Sequence, residues 1–563
     1  MKRLSRFARS VAHRAIQKSP PAVRGLFKHT DEYRARSMAR LYEEGVTVDP
    51  SQRTILFWVP GGMPLLLHVE AALAAALRLR GFKVHAIICN SPYRGCAIRT
   101  VDEGLPINRW REVCTTCTKK TSGVLETMGI PFSYNGDYVT EELRSELWAR
   151  TESVTWDNLD ELAYGEVQIG RNVRSSIVRY LQGAALSGHE AIVREYAYSG
   201  LVSAAAAHNA LATHKPSRVV MSHGTYIDWG PAINTALRQG VPVAAWKASY
   251  LPWHFYMRHI DDPMRIDLKK LSPEAWETLR SAPFSPVQKE RLNRFFADRY
   301  EKGHSFDMKA VRSFRHDVSE LKARYAPNDK PVWAIFAHIN WDSVSDFAPM
   351  TYPSFDEWML DTLRHIVEIP EVQWLVKVHP VEAWDNPATG VQRLIERHFP
   401  ELPDHVRVIP AEENISPANM YELVDGGVTV YGTAGLELAL RGKPVILAGE
   451  AHYGGKGFTH EAGTPEAYRE LLRGAAQPLP LSDEQRLDVL KYAYSHFIRR
   501  QIPLEIVHEQ GAAWWAFQTS KRELLLPGKD PFIDFVCERL LDGGDFTMDE
   551  SLISQSPRDL AAV

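Results

Sequence analysis

The sequence predicts an α/β protein of two lobes, each built on a parallel sheet, and three observations carry that prediction. A chain of 563 residues is too long for one core at roughly 100 to 200 residues per domain. Apolar runs of strand length alternate with helical patterns, as parallel sheets with crossover helices require. Two such series occur, and between them Pro263 to Tyr325 is dense in charge and lacks a strand pattern.

In chain order the first feature is basic. Lys2, Arg3, Arg6, Arg9, Arg14, Lys18, Arg24 and Lys28 precede the first acid, Asp31, and Leu4, Phe7, Val11 and Ala15 recur at helical spacing. Residues 1–45 are expected to form a basic helical extension, and two readings stay open for residues 1–30: an amphipathic helix on an anionic membrane surface, the inner face of the inner membrane, or a solvated helix. The segment lacks the apolar stretch of a secretory signal. No apolar run approaches the roughly 20 residues that span a bilayer, so a cytoplasmic, at most peripheral, protein is expected. A net charge of −3 gives no reason to expect nucleic acid as a partner.

Arg53 to Val59, the glycine loop Pro60-Gly61-Gly62, a helical pattern from His68 to Leu79 and the run Gly81 to Ile88 read as strand, loop, helix, strand. They open an N-terminal lobe over residues 46–262. Within it, helices are expected between Thr140 and Leu211, then a strand at Arg218 to Met221, the loop Ser222-His223-Gly224-Thr225-Tyr226, and another strand from Gly240 to Ala245. Helices over 263–328 connect to a C-terminal lobe over 329–475. Its strands are expected at Pro331 to Phe336, Val372 to Val378 and Val406 to Ile409, with helices at Phe355 to Ile366 and Val391 to His398. Residues 476–563 read as helices, Tyr492 to Arg500 being the clearest amphipathic stretch.

Cys89, Cys96, Cys114 and Cys117 lie close together in the sequence. Cys114-Thr-Thr-Cys117 has the spacing at which two thiolates reach one tetrahedral metal. A structural zinc, four unliganded thiols and a redox pair all remain open.

Val428 to Leu447 reads strand, small-residue loop, helix, turn, strand. Gly432 and Gly435 permit close approach of a ligand, Thr433 sits at a helix N-terminus suited to an anion, and Glu437 follows one turn later. Trp374 to Pro380 is a strand that delivers Lys377, His379 and Pro380 to its carboxyl end, the ligand-binding edge of an open α/β sheet. Asp228, His223, Glu70 and Asp342 are the candidates for a general base, with Asp228 preferred because the indole of Trp229 beside it offers an aromatic platform and could raise the carboxylate by desolvation.

These two segments, with the loop Ala451 to Thr459 that contains Tyr453 and Gly457, resemble the capsule polysaccharide biosynthesis family, glycosyltransferases related to capsular Kdo transferases. The resemblance implies a GT-B fold, two Rossmann-like lobes facing a cleft. It implies a nucleotide-sugar donor, CMP-Kdo in the best-known members, and a polysaccharide or glycolipid acceptor. His379 and Thr433 would contact donor phosphate and Glu437 the ribose, within a donor site running from Lys377 to Thr459. Neither a P-loop nor a DxD pair is found, so transfer without an obligatory divalent cation is expected. A sugar-nucleotide epimerase and a non-catalytic assembly protein are the alternatives.

Overall fold

The structure, a computed structural model, describes residues 38–42, 53–61, 63–99, 109–182, 186–251, 253–302, 317–342, 345–385, 390–413, 415–477, 480–509 and 515–556. The basic helix expected at the N-terminus lies outside the described residues, as does Gly62.

The N-terminal lobe runs through β1 (Ile55–Val59), α1 (Pro64–Leu79), β2 (Val84–Ile88), α2 (Arg111–Thr127), β3 (Phe132–Tyr134), α3 (Gly170–Leu181), α4 (Ala191–His214), β4 (Arg218–Ser222), α5 (Tyr226–Arg238), β5 (Val243–Ala248) and β6 (His254–Ile260). The connecting segment includes α6 (Pro286–Lys302). The C-terminal lobe contains β7 (Val332–Phe336), α7 (Phe355–Ile366), β8 (Gln373–Lys377), β9 (Val406–Ile409), β10 (Gly426–Thr429), α8 (Thr433–Leu440), β11 (Val445–Leu447) and β12 (His460–Glu461). After it come α9 (Asp483–Tyr494) and β13 (Ile502–Pro503).

Both sheets follow one plan. The C-terminal sheet is ordered β9-β8-β7-β10-β11-β12 and is parallel throughout. The N-terminal sheet is ordered β13-β6-β5-β4-β1-β2-β3, parallel from β5 to β3, with β6 and β13 antiparallel at its edge. In each, the first strand lies beside the second on one side and the fourth on the other, so the strand order reverses there. A crevice opens outside the carboxyl ends of that pair, where ligands of doubly wound sheets bind. The strands are buried on both faces, which is why Ile55 to Val59 and Val332 to Phe336 are nearly unbroken apolar runs.

Two expectations are corrected. Residues 476–563 are not helical throughout: β13 pairs with β6, Val507–Glu509 and Trp515–Phe517 form a small antiparallel sheet, and Asp534 pairs with Arg80, the residue that caps α1. The chain thus returns to the N-terminal lobe. Tyr492 to Ile498 is buried on every side, with Ser495–Arg499 widened into a π turn, because it crosses the junction between the lobes. No described helix is long and apolar enough to cross a membrane.

Candidate active site

In the C-terminal lobe the crevice lies beyond β7 and β10. His338, just past β7, accepts the N–H groups of Val430 (3.2 Å) and Tyr431 (3.1 Å) at Nε2, which also lies 3.1 Å from the Thr429 hydroxyl. Its ring stacks on Phe355 with centroids 4.6 Å apart. Burial pushes it down to about 3, helped by His379 and Lys269, so the ring is neutral and holds the loop leading into α8. His338 was not among the sequence candidates, although a histidine ending an apolar strand was a usable signal.

Thr433 opens α8 with Gly432 as its N-cap. The adjacent glycine serves the fold more than a ligand: a Cβ on Gly435 would lie 2.1 Å from the Tyr453 hydroxyl, which donates to the Gly432 carbonyl at 2.6 Å. Tyr453 is wholly buried and braces the loop from behind. Glu437 is equally buried, and its carboxylate meets the Arg299 guanidinium at 3.1 Å and the Tyr300 hydroxyl, both from α6. Burial raises Glu437, and Arg299 and Arg441 oppose that. A ribose would have to displace this ion pair.

Lys377 is also engaged. Its ammonium donates to the carbonyls of Val378 (3.2 Å) and Glu413 (3.3 Å), and burial lowers it to about 8. His379 differs. The Val381 N–H donates to its Nδ1 at 3.2 Å, and burial with Lys377 nearby lowers the ring to about 4. A neutral ring accepting at Nδ1 carries its proton on Nε2, ready for an anion. Pro380 follows at the strand end, half-buried. The Thr459 hydroxyl donates to Glu461, while Gly457 is exposed at φ +86°.

The N-terminal crevice lies beyond β1 and β4. His223 (φ +51°) and Tyr226 (φ +64°) both occupy the left-handed region with Gly224 between them, a conformation that costs about 1–3 kcal/mol per non-glycine residue and clusters at functional sites. The other lobe holds it. Asp346 accepts the N–H of Tyr226, where α5 begins, and the side-chain amide of Asn172 (3.1 Å), while the Ser345 hydroxyl meets that of Ser175 at 2.9 Å.

Asp342 completes the arrangement. It lies on the loop after β7, its side chain 51% exposed, and receives the Tyr226 hydroxyl and Arg179 (3.3 Å). Its charge acts on both His223 and His379, opposing the burial that lowers each to about 4. The fold therefore brings together three residues singled out from separate stretches of sequence.

It does not add the other two. Asp228 is 1% exposed and accepts the Ala97 N–H at 2.8 Å, with burial raising it to about 7. Trp229, 4% exposed, offers no face to a sugar. Glu70 sits inside α1 rather than at a loop end, fully buried and raised to about 8. Cys89, Cys96, Cys114 and Cys117 form no disulfide, and burial raises Cys89 and Cys96. Among the described residues no group of three or more His, Cys, Asp or Glu is placed to hold a metal, so the four-cysteine set is not assembled.

Two doubly wound sheets with crevices meeting at their carboxyl ends define a GT-B-like α/β protein. Residues 299–496 match the family described as capsule polysaccharide biosynthesis protein, and that segment contains His379, Thr433, Glu437 and Asp342. No curated protein matches the chain. Among solved structures it is similar to two KpsC enzymes of Thermosulfurimonas dismutans. The beta Kdo 2,4 transferase is 15% identical with a TM-score of 0.34, covering 55% of this chain and 87% of the other. The beta Kdo 2,7 transferase is 13% identical with a TM-score of 0.32, covering 57% and 87%. A UDP-GlcNAc 2-epimerase from Neisseria meningitidis, at 12% identity and a TM-score of 0.23, covers 78% of this chain and 96% of its own.

Proposed function

We propose that this protein is a nucleotide-sugar-dependent glycosyltransferase that extends a bacterial surface polysaccharide or its lipid-linked acceptor. The observation that carries the reading is Asp342, half-exposed on the C-terminal lobe, bonded to Tyr226 and Arg179 of the N-terminal lobe and within electrostatic reach of both His223 and His379. Donor phosphate lies between the His379 Nε2–H and the N-terminus of α8, where free N–H groups and the helix dipole favour negative charge. Asp342 takes the proton of the acceptor hydroxyl, and its exposure lets an acceptor reach it, which buried Asp228 does not allow. Arg179 and Tyr226 orient it. The family match over residues 299–496 supports a role in capsule polysaccharide synthesis, and a cytidine nucleotide is the first donor to test.

The test is a thermal-shift panel of CMP, CDP, UDP and GDP on the wild type and on His379→Ala. A ligand at about a hundredfold over its dissociation constant stabilises by roughly 2.7 kcal/mol. One nucleotide should stabilise the wild type and lose most of that effect in the variant. If none does, the phosphate site does not exist. Transfer proceeds without a divalent cation in this reading, so loss of turnover in EDTA with recovery in magnesium would contradict it.

A further inference from the structure

Tyr250 follows β5 in the N-terminal lobe, yet its hydroxyl lies 2.8 Å from the hydroxyl of Thr433, the first residue of α8 in the other lobe. Its ring is fixed on several sides. Tyr256 and His496 meet it edge-on at 5.9 and 5.4 Å, Phe497 packs at 5.3 Å, and the Arg299 guanidinium lies 5.3 Å from the ring centroid. Tyr250 is 8% exposed, and its hydroxyl also lies 3.4 Å from His496 Nε2; a His496 ring with its proton on Nε2 donates to the tyrosine oxygen and leaves the tyrosine proton for Thr433. Two hydroxyls in contact hold two protons, and only one of these lies in the bond between them. If Tyr250 donates to Thr433, the Thr433 proton is directed away from the pair.

The surroundings favour an anion there. Lys247, Lys269 and Arg500 all act on His496, lowering it together with burial and His452. His496 is buried and its Nδ1 has no hydrogen-bond partner. These cations thus lie within electrostatic reach of His496, whose ring meets that of Tyr250.

We propose that Tyr250 is a positioning residue contributed by the N-terminal lobe: by donating to Thr433 it commits the Thr433 hydroxyl to donate to the phosphate of a bound nucleotide. The proposal rests on the phosphate site described above. It makes the phosphate contact a joint product of both lobes, with Tyr250 acting only through Thr433 and not on the base or ribose.

The experiment measures, by titration calorimetry on the full chain, binding of CMP, UDP and GDP against cytidine, uridine and guanosine. The readout is the ratio of nucleoside to nucleotide dissociation constants. Y250F should reduce that ratio about 3- to 10-fold, the net value of one hydrogen bond, with nucleoside affinity unchanged. T433V should reduce it at least as much, T433S should retain it, and Y250F added to T433V should cost nothing further. A merely structural tyrosine would weaken nucleoside and nucleotide alike. The proposal is overturned if Y250F leaves the ratio intact, lowers both affinities equally, or costs as much in T433V as in the wild type. It is also overturned if T433V keeps the ratio, a result that does not depend on Y250F folding. Failure of the wild type to bind any of the three nucleotides removes the phosphate site itself, whereas loss in His379→Ala with none in Y250F removes the tyrosine's role alone.

Discussion

Arg299→Met tests the buried pair beneath α8. Arg299 and Glu437 are 4% and 0% exposed at their side chains and 3.1 Å apart, and breaking such a pair from one side typically costs 3–5 kcal/mol. The structure limits the figure. A stranded Glu437 can escape by taking a proton, and from an ordinary value of 4.5 that costs about 1.4 kcal/mol per pH unit, or roughly 3 kcal/mol at pH 7. Protonation in the folded state means a pKa raised above the unfolded one. The stability so contributed is full below the unfolded value and is lost as pH rises, so the deficit of the variant should shrink toward pH 5. Urea unfolding of wild type and Arg299→Met between pH 5 and 7.5 measures this. In the double variant Arg299→Met/Glu437→Met, which strands no charge, most of the loss should return, less about 1 kcal/mol for the orphaned Tyr300 hydroxyl. A deficit independent of pH, or a double variant as unstable as the single, would refute the reasoning.

Glu70 is raised by burial to about 8, so its contribution is full below 4.5 and is lost as pH rises through 8. Glu70→Gln should remove up to the order of 4 kcal/mol of that decline, seen as a flatter profile of melting temperature against pH; parallel profiles would count against it. Asp346→Ala leaves the Tyr226 N–H and the Asn172 amide without their carboxylate and should cost roughly 2–4 kcal/mol. Faster hydrogen exchange at the start of α5 should accompany the loss, and unchanged exchange there would sink the idea that Asp346 holds that turn. Asp342→Asn should lower turnover at least about 100-fold with nucleotide affinity unchanged, whereas Asp228→Asn should act mainly on stability; the reverse pattern would restore Asp228 as the base.

The sheets were legible because their strands are buried on both faces. Ile55 to Val59 and Val332 to Phe336 could be read as apolar runs without knowing any partner. β6 escaped notice because Arg258 and His259 interrupt its pattern; Arg258 is satisfied by the Arg265 carbonyl at 3.0 Å and by Asp261 at 2.8 Å. His379, His223 and Asp342 were legible as polar residues just past strand ends, where a sheet delivers side chains to a crevice. Their neighbours were not. Glu437 reads as a ligand residue until Arg299, 138 positions away, is found against it, and Tyr250 meets Thr433 across 183 positions. Local pattern gives the place of a residue in an element, while its partner depends on how the elements pack.

That packing has a consequence for how the site is maintained. His223 and Tyr226 sit in left-handed conformations; the His223 N–H is held by the Trp246 carbonyl of its own lobe at 2.9 Å, whereas Tyr226 is held from the other lobe, by Asp346 at its N–H and Asp342 at its hydroxyl. In return, Thr433 of the C-terminal lobe is met by Tyr250 of the N-terminal one. Each crevice is therefore shaped by side chains the opposite lobe supplies. If the lobes part, each sheet keeps its buried strands, but the β4–α5 turn loses the carboxylates that offset its strain and Thr433 loses its hydroxyl partner. The geometry of the candidate site then depends on lobe contact more than on the stability of either sheet, so substitutions at Asp346 should affect the Tyr226 turn while leaving both sheets folded.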